Sequence, residues 1–336
     1  MPAGGGTGRG PAEDLLRRGR PAAAAPARDG GDGLLARVPP IALVLAGGVS
    51  VQIGAGLAAR LFTQLPAAAV TGLRLWAAAL IIAVVGARGL ARTVRALVRN
   101  RSWRDTAIAV AFGLTLAVMN FSIYQAMARI PLGIAVTIEF LGPLAVAVVS
   151  SRRALDLLWV ALAAAGVLLL SRGGTSLAHS ARPGDTGLVI TGTLFALTAA
   201  ACWALYIVLS RSTGRRFSGS SGLVLAMIIA AVAVTPPAIA AGHAALLRPE
   251  FLAMGALIGL LSSVIPYAFE MQALRRIPPR VFGILMSLEP AIAALVGLVL
   301  LSESLMAREW VAIVCVTVAS AGAARATPRE VPPPQA

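Results

Sequence analysis

Two stretches of this chain, 147 residues apart, carry the same apolar hairpin. Across 125–149 and 272–296, nine of twenty-five ungapped positions are identical: Gln125/Gln272, Ala126/Ala273, Arg129/Arg276, Ile130/Ile277, Pro131/Pro278, Leu141/Leu288, Pro143/Pro290, Ala147/Ala294 and Val149/Val296. After a four-residue insertion in the second copy, Trp159-Val160-Ala161 aligns with Trp310-Val311-Ala312. The chain therefore consists of two related halves. Each half reads as five membrane spans, and an odd number of spans turns the second copy upside down relative to the first. Inverted halves around a central site are an architecture of transporters.

Composition supports the membrane reading. The 336 residues are 58% apolar and 13% charged, against roughly 25% charged in soluble domains. A bilayer core about 30 Å thick needs about 20 apolar residues per helix. Ten such segments fit: 41–60, 66–87, 105–127, 131–150, 154–171, 187–210, 221–242, 251–274, 279–301 and 307–324. The expected fold is an all-α membrane protein of ten transmembrane helices, arranged as two inverted five-helix repeats over 41–174 and 186–325. Runs of this length exclude a β-barrel, whose strands alternate over about ten residues. Residues 1–37 and 326–336, rich in Gly, Ala, Pro and Arg, read as disordered tails.

All 29 basic residues are Arg, against 14 acids, for a net charge of +15. They sit in short loops and form no contiguous basic face, so no nucleic-acid partner is implied. With both termini cytoplasmic, that side collects 22 arginines: six in the N-terminal tail, six over 88–104, Arg152 and Arg153, Arg211, Arg215 and Arg216, Arg275, Arg276 and Arg280, then Arg325 and Arg329. The opposite side collects six: Arg60, Arg129, Arg172, Arg182, Arg248 and Arg308. This is the bias expected of cytoplasmic loops. The duplicated hairpin agrees. The loop after its first copy is Ser150-Ser151-Arg152-Arg153, whereas the equivalent loop in the second is Ser302-Glu303-Ser304.

The repeat with Leu288-Glu289-Pro290 followed by Leu301-Ser302-Glu303 resembles the EamA-type repeat of the drug/metabolite transporter superfamily. More narrowly, the stretch from Ile130 to Arg153, containing Glu139-Phe140 and Gly142-Pro143, resembles the inner-membrane threonine/homoserine exporter group. So do Gly192 to Leu197, Cys202 to Tyr206 and Arg280 to Pro290. The resemblance covers roughly 41–325. It implies a ten-helix fold in a bacterial inner membrane, no cofactor, and efflux of a small amino acid or related metabolite in exchange for protons.

Ionisable side chains deep in lipid cost about 2.5 to 3.5 kcal/mol each on insertion scales, so they face a cavity or a partner. Arg74, Glu139 and Glu289 fall near mid-span. In the functional reading the acids bind a substrate ammonium and carry a proton, while the planar fork of Arg74 meets a carboxylate. In the alternative, Arg74 pairs with one of these acids and locks helices together. Glu139 aligns with Met286 and Glu289 with Gly142, so any site built from them is asymmetric. Gln52, Asn120, Tyr124, Gln125, Trp203, Tyr206, Tyr267, Glu270 and Gln272 are candidates for lining a central route, with Glu270 also readable as a boundary residue near headgroups. Pro143, Pro290 and Pro266 are hinge candidates, since each removes a helical hydrogen bond. Gly255 and Gly259 form a GxxxG pair suited to close helix packing or, as a second reading, to a homodimer face.

Cys202 and Cys315 have no CxxC neighbour, and His179 and His243 lie in loops without acidic or Cys partners, so no metal site is expected. A membrane-embedded transferase would need acid clusters or a nucleophile with its base, and no DxxxD within a span, HExxH or GxSxG occurs. The expectation is a transporter and not an enzyme, with lipid, a small-molecule substrate and protons as partners. The competing transport reading is an exporter of drug-like or other organic solutes.

Overall fold

Prolines open five of the spans. Proline is suited to the first helical turn, where its missing N–H has no intrahelical partner to lose. In the computed structural model, which describes residues 37–100, 102–149, 155–171, 186–217 and 221–326, span one is Pro40–Leu61 and span two, Ala67–Val85, follows Pro66. Span four, Leu132–Val149, follows Pro131, and spans eight, Pro249–Leu274, and nine, Pro279–Leu301, begin on proline. Span three, Trp103–Met127, is instead capped by the Ser102 side chain, which accepts from the Asp105 amide. Span six is Thr186–Arg216, span seven is Ser221–Leu247 and span ten is Ala307–Ala326.

Nine helices among the described residues are long and apolar enough to cross a bilayer. Span five is also helical, over the 17 residues Leu155–Ser171. The described residues contain helices and no strands. The tails at 1–36 and 327–336, Arg152, Arg153 and His179 lie outside them.

Two segments differ from expectation. Span six runs six residues beyond 210, so Arg211, Arg215 and Arg216 end a helix and do not lie in a loop. The stretch after span two, read as loop, is a helix, Ala87–Asn100.

The spans pack in a pattern that repeats. Span two packs on seven, four on nine, and five on ten. Span one lies against eight and nine, as span six lies against three and four, and span two meets eight as seven meets three. Exchanging each span for the one five further along maps these contacts onto themselves. Contacts at the span ends join ends that an alternating path places on one side. Asp105 at the start of span three bonds Arg216 at the end of span six at 2.6 Å. Arg60 at the end of span one donates to the Leu300 carbonyl at the end of span nine at 2.8 Å.

Lipid supplies no hydrophobic drive between helices, so close approach of small residues holds them together. Large apolar side chains point outward: Leu80, Val232 and Val299 are 66%, 67% and 76% exposed. Inside, Ala58, Ala69, Ala126, Ala135, Ala293 and Ala312 are fully buried. A Cβ on Gly255 would lie 2.7 Å from that of Leu73, and one on Gly259 2.9 Å from the Arg74 carbonyl oxygen. That glycine pair therefore packs against span two of the same chain. Gly142 in span four sits against the backbone carbonyl of Ala200 in span six. Gly142→Ala should lower the unfolding midpoint in detergent by several degrees, corresponding to about 1–3 kcal/mol of overpacking. Gly187→Ala, whose added methyl meets nothing within 4 Å, should not lower it.

Candidate functional site

Spans four and nine are each broken near their middle. Span four consists of Leu132–Glu139 and Leu141–Val149, interrupted at Phe140. Span nine consists of Pro279–Met286 and Glu289–Leu301, interrupted at Ser287 and Leu288. Each break lies just before a proline, Pro143 or Pro290. A proline cannot donate to the carbonyl four residues earlier and its ring crowds that carbonyl. Those carbonyls belong to Glu139 and Met286. In span eight Pro266 follows a π-helical turn over Leu260–Val264, an adjustment by which a membrane helix can re-satisfy backbone groups that proline frees.

The breaks position the acids asymmetrically. Glu139 is the last residue of the first half of span four, and Glu289 the first residue of the second half of span nine. Glu289 therefore sits at the partially positive end of a half-helix and Glu139 at a partially negative one. Glu289 is buried, and its carboxylate reaches the space left by Gly48 in span one, where an added Cβ would lie 3.9 Å from Oε1. Gly48, Gln52 and Gly56 fall on one helical face. Gly56 on that face meets Val296 and Leu300 of span nine, so Gln52, buried with its Oε1 unbonded, lies on the face toward span nine.

Arg74, buried in span two, is held by uncharged groups. Its Nη2 donates to Asn120 Oδ1 at 2.7 Å and to Ser263 Oγ at 3.4 Å, and its guanidinium carbon lies 5.1 Å from the Tyr124 ring centroid. Among the described residues it forms no ion pair within 4.0 Å, which removes the reading in which it is locked to a glutamate. Its Nε and the Tyr124 hydroxyl are buried without a hydrogen-bond partner. Glu270 is half-buried on span eight, the span whose Ser263 accepts from Arg74.

Trp203 packs edge-to-face on Phe140, the residue at the break of span four, with centroids 4.9 Å apart. Tyr206 stacks on Phe112 at 5.0 Å. Gln125 is not in this group: its carbonyl and side-chain oxygens both accept from Arg129, at 2.5 and 2.7 Å. Gln272, its repeat counterpart, is half-buried. Cys202 and Cys315 are free thiols, His243 is exposed, and among the described residues no three His, Cys, Asp or Glu side chains gather as a metal site. Ser263 and Gly48 were not singled out by the sequence. A small hydroxyl and a glycine in apolar spans give no signal until the neighbouring helices are placed.

A second polar feature joins the two halves at the end of the bundle where spans one, three and nine finish. A cavity of about 770 Å³ there is lined by Arg60, Phe62, Thr63, Met127, Leu301 and Glu303, among others. Ser302, with φ 57°, ends span nine in the left-handed conformation, and the Glu303 N–H closes the helix on the Gly297 carbonyl at 3.1 Å. The Glu303 carboxylate then folds over Gly297 and accepts from the Leu132 amide at 2.9 Å. It satisfies one of the unpaired donors that begin span four.

These features define a multi-pass all-α membrane protein with two broken spans facing a polar centre. The profile of the EamA-like transporter family matches residues 190–324. The chain is 37% identical over 292 residues to the threonine/homoserine exporter RhtA of Salmonella typhimurium, covering 87% of this chain and 93% of that one. It is 36% identical over 294 residues to RhtA of Escherichia coli K12, covering 86% and 94%. A solved crystal structure shares the fold with a TM-score of 0.55 at 19% identity, over 88% of this chain and 99% of that one. The chain belongs to the EamA-type drug/metabolite transporters, in the threonine/homoserine exporter family. It is a transporter and not an enzyme.

Burial pushes the Glu303 carboxyl up, and the hydrogen bond from Leu132 only partly offsets this. A raised acid contributes stability while protonated and loses it as pH rises through its folded-state value. Glu303→Gln keeps the acceptor for Leu132 without the charge. Its unfolding midpoint should match that of the parent near about pH 4 and exceed it near about pH 8. A parent that melts higher than the variant near about pH 8 would contradict this role.

Proposed function

We propose that this chain exports small zwitterionic amino acids, threonine and homoserine foremost, across a bacterial inner membrane in exchange for protons. The observation that carries the reading is Arg74, a buried cation whose hydrogen-bond partners are both neutral, in a bundle whose other mid-span charges are acids at the breaks of spans four and nine. An α-carboxylate supplies the anion that the guanidinium lacks, and the fork of Arg suits it. The substrate ammonium goes to Glu139, where the carbonyl end of a half-helix adds negative potential. Two RhtA relatives named as threonine/homoserine exporters, at 36% and 37% identity, support the same class of cargo.

Glu289 is the proton carrier in this scheme. A buried ionised carboxylate is costly, so Glu289 holds its proton while the centre is closed to water and releases it where the centre opens. The two halves are inverted repeats that rock about the prolines of spans four and nine, opening the centre to alternate sides. Both termini lie in the cytoplasm, with the 22 arginines assigned to that side as the support. Reporter fusions should place each terminus inside, and an external reading at either end would contradict the topology.

Proteoliposome counterflow tests the function. Labelled threonine should accumulate against unlabelled internal threonine and respond to an imposed pH gradient. Glu289→Gln should insert normally and abolish the flux. Unchanged flux in that variant would remove Glu289 from the mechanism, and absence of counterflow with every amino acid tested would refute the cargo class.

A further inference from the structure

The helix Ala87–Asn100, between spans two and three, has no part in the transport scheme. Arg88, Arg92, Arg95 and Arg99 recur at intervals of four, three and four residues, which holds them on one narrow face. All four are exposed, and the helix contains no acid to neutralise them. Leu90, Val94 and Leu97 occupy the opposite face. Between these faces, the buried Thr93 hydroxyl donates to Ser221 Oγ at the start of span seven at 2.8 Å, which anchors the helix to the bundle.

The apolar face does not close fully on the spans below. An apolar cavity of about 300 Å³ lies between this helix, span three and span seven, lined by Val94, Leu97, Ala109, Val110, Leu225 and Ile229, among others. Val94 and Val110 on its walls are 41% and 39% exposed, so it is open to the side. The helix presents guanidiniums on one face and bounds an apolar slot with the other, both at the end of membrane spans, and this pairing matches one kind of molecule. Its phosphate needs several cationic donors and its chain needs a hydrocarbon lining.

We propose that this helix and the slot beneath it bind an anionic phospholipid of the adjoining leaflet. The arginine row takes the headgroup and the slot takes part of one acyl chain. The lipid then ties the interfacial helix to span three, which carries Asn120 and Tyr124 beside Arg74. A soluble polyanion would use the arginines and leave the slot unused. The chain's own N-terminal tail, with Glu13, Asp14, Asp29 and Asp32, could compete for the same row.

Native mass spectrometry of the purified full chain, equilibrated with equal amounts of phosphatidylglycerol and phosphatidylcholine, tests this independently of transport. The parent should retain phosphatidylglycerol preferentially. R92Q/R95Q should reduce that retention by about tenfold or more, since two of the four surface charges that attract anionic lipid are removed. R92K/R95K should keep most of it. Val110→Trp, which fills the slot and leaves the arginines intact, should also reduce retention. Equal retention of both lipids by the parent, or a preference unchanged in R92Q/R95Q, would overturn the proposal. A preference that emerges only after residues 2–36 are removed would assign the row to the tail and overturn it as well.

Discussion

A backbone carbonyl that loses its helical donor inside hydrocarbon must find another protein group or a cavity, because no water is at hand. Pro143 and Pro290 impose that condition on the two spans that pack against each other across the halves of this protein. The breaks at Phe140 and at Ser287 and Leu288 follow, and with them the positions of Glu139 and Glu289 at half-helix ends. Were either span continuous, these acids would lie on regular helix faces with no freed carbonyls beside them. Gly133 and Gly142 then let neighbouring helices approach closely enough to enclose the breaks.

The polar centre built on these breaks is asymmetric although the scaffold is duplicated. The repeat supplies both prolines and both breaks, but an acid before the first and after the second. Arg74 is contributed by span two alone, so the positive charge comes from a different element than the acids of spans four and nine. A cargo with two unlike charged ends fits such a field in one orientation. The outer and inner ends of the bundle are tied by contacts of a different kind, Glu303 to Leu132 at one and Arg216 to Asp105 at the other.

Much of this was legible in the sequence because lipid leaves few solutions. Ten apolar runs separated by Arg-rich and Arg-poor loops give the spans to within a few residues, and the duplicated hairpin marks the two that break. Glu139, Glu289 and Arg74 stood out since charge in an apolar run is costly. The partners of Arg74 were not legible: Asn120 and Ser263 are 46 and 189 residues away, and no pattern within one span reveals which neighbour it faces. Gln125 looked equivalent to any other mid-hairpin polar residue until its bonds to Arg129 were seen. The helix Ala87–Asn100 was hidden by treating its arginines as topological charge. Their four-three-four spacing, available in the sequence, is the signal that would have revealed it.

In the proposed cycle, unlike charges in one buried site grip the two ends of an amino acid. Equilibrium binding to the protein in nanodiscs, comparing threonine with its methyl ester and with N-acetylthreonine, separates the two grips. Each derivative deletes one charge, so each should bind at least about tenfold more weakly than threonine. A methyl ester or an N-acetyl derivative that binds as tightly as the parent amino acid would contradict it.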